Sequence, residues 1–332
     1  MSKEEALKEP NQVKSKIKFL LRILVSIIAL FFLIKFGKVD LNTAFKYLLK
    51  ANPIYFALAF LSYLATLAIS AIRFYFSSHV IGFKKTYLQL LQLNFVGTFF
   101  NNFLPTTFGG DALRGYYLKR GSHVGLSKAA ACIVYERFTG MVILFWAASA
   151  TFILQDIGIL QNSIWKIPTQ FALFSHIGSF VTIFLIPLLP VLSKLILGKN
   201  SWLYKKFVEP FQIYWQDLKL LGRIIFLSVF LQMSVVISHI FIAKALDIQI
   251  PLSYYFIFYP LTTIGGFLIP SLNGLGVREG AYIYFLTKVN VPADQGMAFS
   301  ICWLVILLVM SIVGGIVYTF GDFRKHKMLV RD

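Results

Sequence analysis

Charge is scarce in this chain, and acidic charge scarcer still. Of its 332 residues only 14% are charged and 58% are hydrophobic, against roughly a quarter and a half in ordinary soluble domains. A chain of this kind cannot cover itself with polar surface, which excludes a water-soluble fold. Cysteine is nearly missing: Cys132 and Cys302 lie inside apolar runs, at no spacing that marks a metal site or a disulfide framework. Long hydrophilic stretches are missing too. The longest, about 194–223, is too short for a soluble catalytic domain. Acidic residues number 14 against 32 basic ones, for a net charge of +18. In a soluble protein that excess would point to nucleic acid. Here the basic residues lie between apolar spans, where the positive-inside bias and attraction to anionic headgroups account for them. No nucleic acid, metal or cofactor is expected.

What the chain has in abundance is long apolar runs. A bilayer core of about 30 Å needs about 20 apolar helical residues, and stretches of that length recur from Phe19 to Phe320. The expected fold is therefore an all-α polytopic helical membrane protein, with full crossings near 17–36, 53–72, 126–154, 171–193, 223–245 and 298–320. A basic segment over 1–16 precedes the membrane domain of 17–320, and a basic tail over 321–332 follows it. The N-terminus has the charge pattern of a signal peptide, but its apolar run ends at Lys35 with no small-residue cleavage site, so it reads as a retained first helix.

Two further apolar segments are odd. Tyr87 to Leu104 carries Gln89, Gln92, Asn94, Thr98, Asn101 and Asn102 and breaks at Pro105; Leu252 to Ile269 carries Pro260, Thr262, Thr263, Gly265 and Gly266 and breaks at Pro270. Loop charge bears on whether they cross. Lys194, Lys199, Lys205, Lys206, Lys219 and Arg223 mark one loop as cytoplasmic, and Arg324, Lys325, Lys327 and Arg331 mark the C-terminus likewise. Counting back places Arg73, Lys84, Lys85, Arg114, Lys119 and Arg120 on the same side, so both odd segments are expected to be re-entrant. Both termini are then cytoplasmic. Lys38, Lys46 and Lys50 count mildly against that scheme.

The odd segments also resemble each other, in halves centred on 87–118 and 252–286. Pro105, Gly109, Gly115 and Tyr117 match Pro270, Gly274, Gly280 and Tyr282 at a constant offset of 165, with Arg114 and Arg278 displaced by one. Three crossings between re-entrant copies would point them in opposite directions, the inverted-repeat signature of many transporters.

Polar residues at membrane depth gather at these breaks. Pro105 ends one helix, Gly109 and Gly110 permit a tight turn, and Asp111 is placed to cap a new helix carrying Arg114 on the same face. Broken backbone at such depth is tolerated where it is buried or lines a wet cavity, and the free amides favour an anion such as phosphate. A fold-stabilising Asp111–Arg114 turn is the competing reading. At the second break, Asn273, Gly274 and Gly276 precede Arg278 and Glu279. These neighbours point about 100° apart on a helix, so each is expected to need another partner. Glu136 and Arg137 lie two to three turns into an apolar run, where ionisable groups are costly. Glu136 is expected to pair with Arg114 or Arg278, and Arg137 with Asp111 or Glu279. His176 and His239 read as hydrogen-bonded packing residues.

This constellation resembles the membrane domain of the lysylphosphatidylglycerol synthase and flippase-like family (UPF0104-like). The carrying residues are Asn-x-x-x-Pro-x-x-x-Gly-Gly-Asp-x-x-Arg from Asn101 to Arg114, Glu136-Arg137, and Pro-Ser-Leu-Asn-Gly-Leu-Gly-Val-Arg-Glu-Gly from Pro270 to Gly280. The resemblance implies a domain that moves or handles lipids, including aminoacylated phosphatidylglycerol and polyprenyl- or hopanoid-linked lipids. In the multiple peptide resistance proteins a soluble aminoacyl-transfer domain follows; the chain ending at Asp332 is expected to lack it.

The leading expectation is a non-enzymatic lipid flippase or transporter in the inner membrane of a prokaryote. Its expected partners are membrane lipids with an anionic or zwitterionic headgroup, held by Asn101, Asn102, Asp111, Arg114, Glu136, Arg137, Asn273, Arg278 and Glu279. Pro105, Gly109, Gly110, Pro270, Gly274 and Gly276 would form the breaks that cradle the anion. Two alternatives stand: a membrane-embedded transferase using these carboxylates as acid and base, for which no Asp-x-Asp metal pair is present, and a non-transporting lipid-binding partner of another enzyme.

Overall fold

The computed structural model describes residues 39–103, 109–160, 167–185, 204–269 and 274–321, with Leu24, 194–196, 201–202 and Ser271. Among these residues every regular element is helical. In chain order the main helices are α1 (Leu41–Leu49), α2 (Pro53–Val80), α3 (Tyr87–Phe103), α4 (Gly109–Lys119), α5 (Leu126–Asp156) and α6 (Thr169–Phe180). There follow α7 (Glu209–Gln216), α8 (Leu218–Ala245), α9 (Tyr255–Leu268), α10 (Val277–Thr287) and α11 (Ala293–Phe320). Four of them, α2, α5, α8 and α11, are 28 to 31 residues long and apolar enough to cross a membrane. The expected crossing at 17–36 lies outside the described residues apart from Leu24. That at 171–193 is described to Leu185, where α6 runs on as a π-helical turn.

Local chemistry sets the helix ends. Asn52 Oδ1 accepts from the Ile54 and Tyr55 amides with Pro53 at the first helical position, and Asp217 Oδ1 accepts from the Lys219 and Leu220 amides. The helix that begins at Pro53 does not stop near residue 72. Ile72-Arg73-Phe74-Tyr75-Phe76 offers no stop signal, and the chain turns only at Gly82, where φ is +96°.

α2 and α8 form the most extensive helix pair and run antiparallel. Ser234 and Ser238 donate to the Ser62 and Ala59 carbonyls, and the Asn52 amide donates to the Ala245 carbonyl. Small hydroxylated residues let the backbones approach and satisfy their own donors without water. Outer faces keep large apolar side chains exposed, including Ile54, Leu61, Phe230 and Ile312, as lipid contact requires.

The two odd segments are helical hairpins entering the bundle from opposite ends. α3 and α4 pack on each other, and their outer ends meet where Lys85 Nζ donates to the Arg120 carbonyl at 2.8 Å, beside the C-terminal end of α2. Burial there, with Arg120 nearby, holds the Lys85 amine below the usual lysine range. α9 and α10 close likewise at the other end: Tyr254 Oη donates to the Phe285 carbonyl at 2.6 Å. An apolar core packs at each end, one around Phe74, Tyr135 and Tyr214, the other around Tyr254, Phe258 and Phe299. The polar site lies between them.

Candidate functional site

Glycine sets the geometry of the first hairpin. A Cβ on Gly110 would stand 2.1 Å from the Gly97 carbonyl oxygen, so α3 and α4 touch backbone to backbone. The Gly110 amide donates to Asn101 Oδ1 at 3.0 Å, which ties the tip of the hairpin. Gly97 in turn leaves the space that Arg114 fills, since a Cβ there would meet Arg114 Cδ at 2.4 Å. Asn102 bonds to Ser311 on α11. α4 begins at Gly109, two residues earlier than expected, so Asp111 lies inside its first turn rather than at its cap.

From this hairpin a zigzag of alternating charge crosses the bundle. Arg137 grips Asp111 with two nitrogens, at 2.8 and 3.2 Å. Asp111 lies 3.4 Å from Arg114, whose Nη2 donates to Asn94 at 2.8 Å and stands 3.7 Å from Glu136. Glu136 Oε1 accepts from Arg73 Nε at 3.2 Å and from Ser77 Oγ at 3.0 Å, and Arg73 Nη1 donates to Ser228 Oγ at 2.9 Å. Asp111, Arg114, Glu136 and Arg73 are all buried. The net worth of such pairs is small, but breaking one leaves an uncompensated charge, at about 3–5 kcal/mol. The network thus fixes how α2, α4, α5 and α8 sit together.

The second hairpin is built differently. Gly274 and Gly276 both have positive φ, +82° and +84°, and α10 starts directly after them. Glu279 Oε2 reaches back to accept from the Gly276 amide at 2.6 Å, while its Oε1 accepts from Arg278 Nη2 at 3.1 Å. Arg278 and Glu279 therefore do pair, contrary to the expectation from helix direction. The two Cα–Cβ bonds diverge, but the arginine stem is long enough to bring its guanidinium round.

Both hairpins open on one cavity of about 370 Å³. Asn101, Asn102, Arg114, Glu136, Arg137, Gly274 and Arg278 line it; Asp111 and Glu279 stand behind their arginines. Among the described residues five buried side-chain polar atoms have no hydrogen-bond partner. Four belong to cavity-lining residues: Arg114 Nε, Arg278 Nε, Glu136 Oε2 and Thr262 Oγ1. Buried polar groups are otherwise nearly always satisfied, and four of these five exceptions fall on residues of the cavity wall. Pro105, Pro270 and Asn273 lie outside the described residues.

Arg73 is the residue that sequence reasoning misplaced. Its charge suggested a cytoplasmic loop, yet it is buried on α2 and lines the cavity. The uninterrupted apolar and aromatic run to Phe76 was the signal against a loop. Gln232 and Tyr259 were also missed: Tyr259 Oη donates to Gln232 Oε1 at 2.6 Å, and Gln232 Nε2 donates to the Gly140 carbonyl at 3.1 Å. His239 is a satisfied packing residue, with Nδ1 facing the Val235 carbonyl at 2.8 Å and Nε2 facing Tyr282 Oη at 2.7 Å. Among the described residues no group of His, Cys, Asp and Glu is arranged to hold a metal ion.

Long apolar helices around a charged internal cavity define an integral membrane protein with a polar site at depth. The chain belongs to the family described as the lysylphosphatidylglycerol synthase TM region, whose model matches residues 19–315. It is also 25% identical over 298 residues to a UPF0104 membrane protein of Methanocaldococcus jannaschii, an alignment covering 84% of this chain and 88% of that one. Family and composition together make contact with membrane lipids a property of the protein.

Proposed function

We propose that the protein is a lipid flippase or transporter that takes a phosphate-bearing lipid headgroup into the cavity while the acyl chains stay in the bilayer. The observation that carries this reading is the cavity itself, which gathers Arg73, Arg114, Arg137 and Arg278 around one open volume between the hairpins. A headgroup crossing hydrocarbon is opposed by desolvation of its charge, and fixed guanidiniums at depth offset that loss with charge-assisted hydrogen bonds. Hairpins entering from opposite ends support the inverted-repeat reading, in which rocking of one against the other exposes the site to each side in turn.

Charge at the two ends supports an orientation. The end holding Lys85, Arg120, Lys128 and Lys219 is strongly basic, whereas at the other end Lys46, Lys50, Lys244 and Lys288 are balanced by Asp40, Asp156, Asp247 and Asp294. The basic end then faces the cytoplasm, and α11 delivers the C-terminal tail there. The transferase alternative is disfavoured because Asp111, Glu136 and Glu279 are each held by arginine, which leaves them poor proton shuttles.

In vesicles carrying tail-labelled phospholipid, the reconstituted protein is expected to move label between leaflets. Arg278→Ala and Glu136→Gln, purified in folded form, are expected to abolish that movement. Unchanged movement in both variants would overturn the assignment.

A further inference from the structure

The carboxylates of the site carry information about the headgroup. Asp111 is contacted by Arg137 and Arg114, Glu136 by Arg73 and Arg114, and Glu279 by Arg278 and the Gly276 amide. Each already has its cation. Glu136 Oε2 lacks a hydrogen bond but lies 3.7 Å from Arg114 Nη2, so it too sits in the field of a guanidinium. Four arginines face three carboxylates, and the site as a whole keeps one positive charge in excess.

Donors remain unused on the cationic side. Arg137 commits Nε and Nη2 to Asp111, yet its side chain is 45% exposed. Arg114 and Arg278 each keep a buried Nε with no partner. The rest of the wall is neutral and rich in hydroxyl and amide groups: Thr66, Ser70, Thr98, Gln232, Tyr259 and Thr262, the last with its hydroxyl unpartnered. The aromatic rings on that wall lean on a neighbour rather than framing an open box, with Trp303 and Tyr282 packed on His239 at 4.3 and 5.6 Å.

Resting on the reading that the cavity receives a lipid headgroup, we infer that its occupant is an anionic phosphodiester bearing hydroxyls and no amine. An ammonium entering the site would find every carboxylate occupied and a surplus of like charge. A phosphate would find the half-exposed guanidinium of Arg137 on the cavity wall, and a polyol would find the hydroxyl and amide groups beside it. At about 30 Å³ per water-sized group, 370 Å³ suffices for a phosphate with a short polyol. Selection follows from sign: the site repels the amine as well as attracting the anion.

The test is lipid retention measured apart from transport. Purified protein in mixed micelles is offered phosphatidylglycerol, phosphatidylethanolamine and lysyl-phosphatidylglycerol at equal mole fraction, and bound lipid is read by native mass spectrometry. Phosphatidylglycerol is expected to exceed each amine-bearing lipid by ~10-fold or more. Arg137→Gln, which takes a guanidinium from the cavity and loosens Asp111, is expected to remove most of that preference, lowering retention of phosphatidylglycerol and raising that of the amine-bearing lipids. Equal or tighter retention of either amine-bearing lipid overturns the inference, even if vesicle assays show that the protein moves lipids. Selective retention without leaflet exchange overturns the transport reading and leaves the inference standing. Glycerol 3-phosphate alone, titrated as competitor, separates a lipid from a soluble ligand: displacement at concentrations matching the lipid would overturn the lipid assignment.

Discussion

The first hairpin shares its charges with three other helices, whereas the second keeps Arg278 and Glu279 as a pair of adjacent residues. In the first, Asp111 and Arg114 on α4 are held through Arg137 and Glu136 of α5, and Glu136 is held in turn by Arg73 of α2, which also bonds Ser228 of α8. In the second, Glu279 turns back on its own helix start, and among the described residues Arg278 bonds to Glu279 alone. The same types of residue are thus built into the frame at one break and kept local at the other. On the transport reading proposed above, an element without ionic ties to the frame is the easier one to shift, so the α9–α10 hairpin is the proposed mobile partner, tied to α8 only by the neutral Tyr259–Gln232 and Tyr282–His239 bonds among the described residues.

The largest expected effect lies at the centre of the frame. Glu136→Ala leaves Arg73 and Arg114 buried with their shared counter-charge gone, and is expected to cost about 3–5 kcal/mol, read as a large fall in thermal unfolding temperature in detergent. A double-mutant cycle sharpens the comparison. Coupling between Arg73 and Glu136 is expected to exceed that between Arg278 and Glu279, and equal couplings would erase the contrast between frame and mobile hairpin.

Next comes the steric lock of the first hairpin. Gly110→Ala drives a methyl into the Gly97 carbonyl and Asn101 Oδ1, so α3 and α4 must separate at a cost of about 3 kcal/mol. If the variant unfolds like the parent, the close approach is not what holds the break. Arg278→Ala is expected to cost less, about 2 kcal/mol, because Glu279 keeps the Gly276 amide. It is nonetheless expected to lose lipid movement completely, which separates stability from function at this hairpin.

Much of this was legible because it depends on spacing. Pro and Gly breaks in apolar runs gave both hairpins, and the i, i+3 relation of Asp111 and Arg114 gave their contact, observed at 3.4 Å. Arg137 meets Asp111, one of the partners its depth called for. What sequence could not supply was reach and register. Arg73 was assigned to a loop because basic residues flank most spans, but the helix of Pro53 is longer than a bilayer requires and carries it inside. Arg278 and Glu279 were separated by helix geometry, which fixes where a side chain leaves the backbone and not where its end group arrives. Gln232 and Tyr259 were invisible because neither is charged and their partnership joins α8 to α9.

The smallest expected effect separates two uses of glycine. Among the described residues a Cβ on Gly274 would meet nothing nearer than 3.7 Å, so the demand there is conformational, with φ at +82°. Gly274→Ala is therefore expected to cost about 1–2 kcal/mol through backbone strain alone, less than Gly110→Ala, where the backbone is ordinary helix and space is the obstacle. Gly274→Asn should recover part of that loss, since asparagine tolerates positive φ, while Gly110→Asn should be worse than Gly110→Ala. Gly265, inside α9, would meet nothing within 4 Å among the described residues if it carried a methyl, and it supplies the control: Gly265→Ala should be neutral or stabilising by up to ~1 kcal/mol. If Gly274→Ala and Gly265→Ala behave alike in thermal unfolding, the second break does not depend on its left-handed turn. The α9–α10 hairpin would then be held by side-chain contacts, as the first one is, and would lose its claim to be the mobile partner.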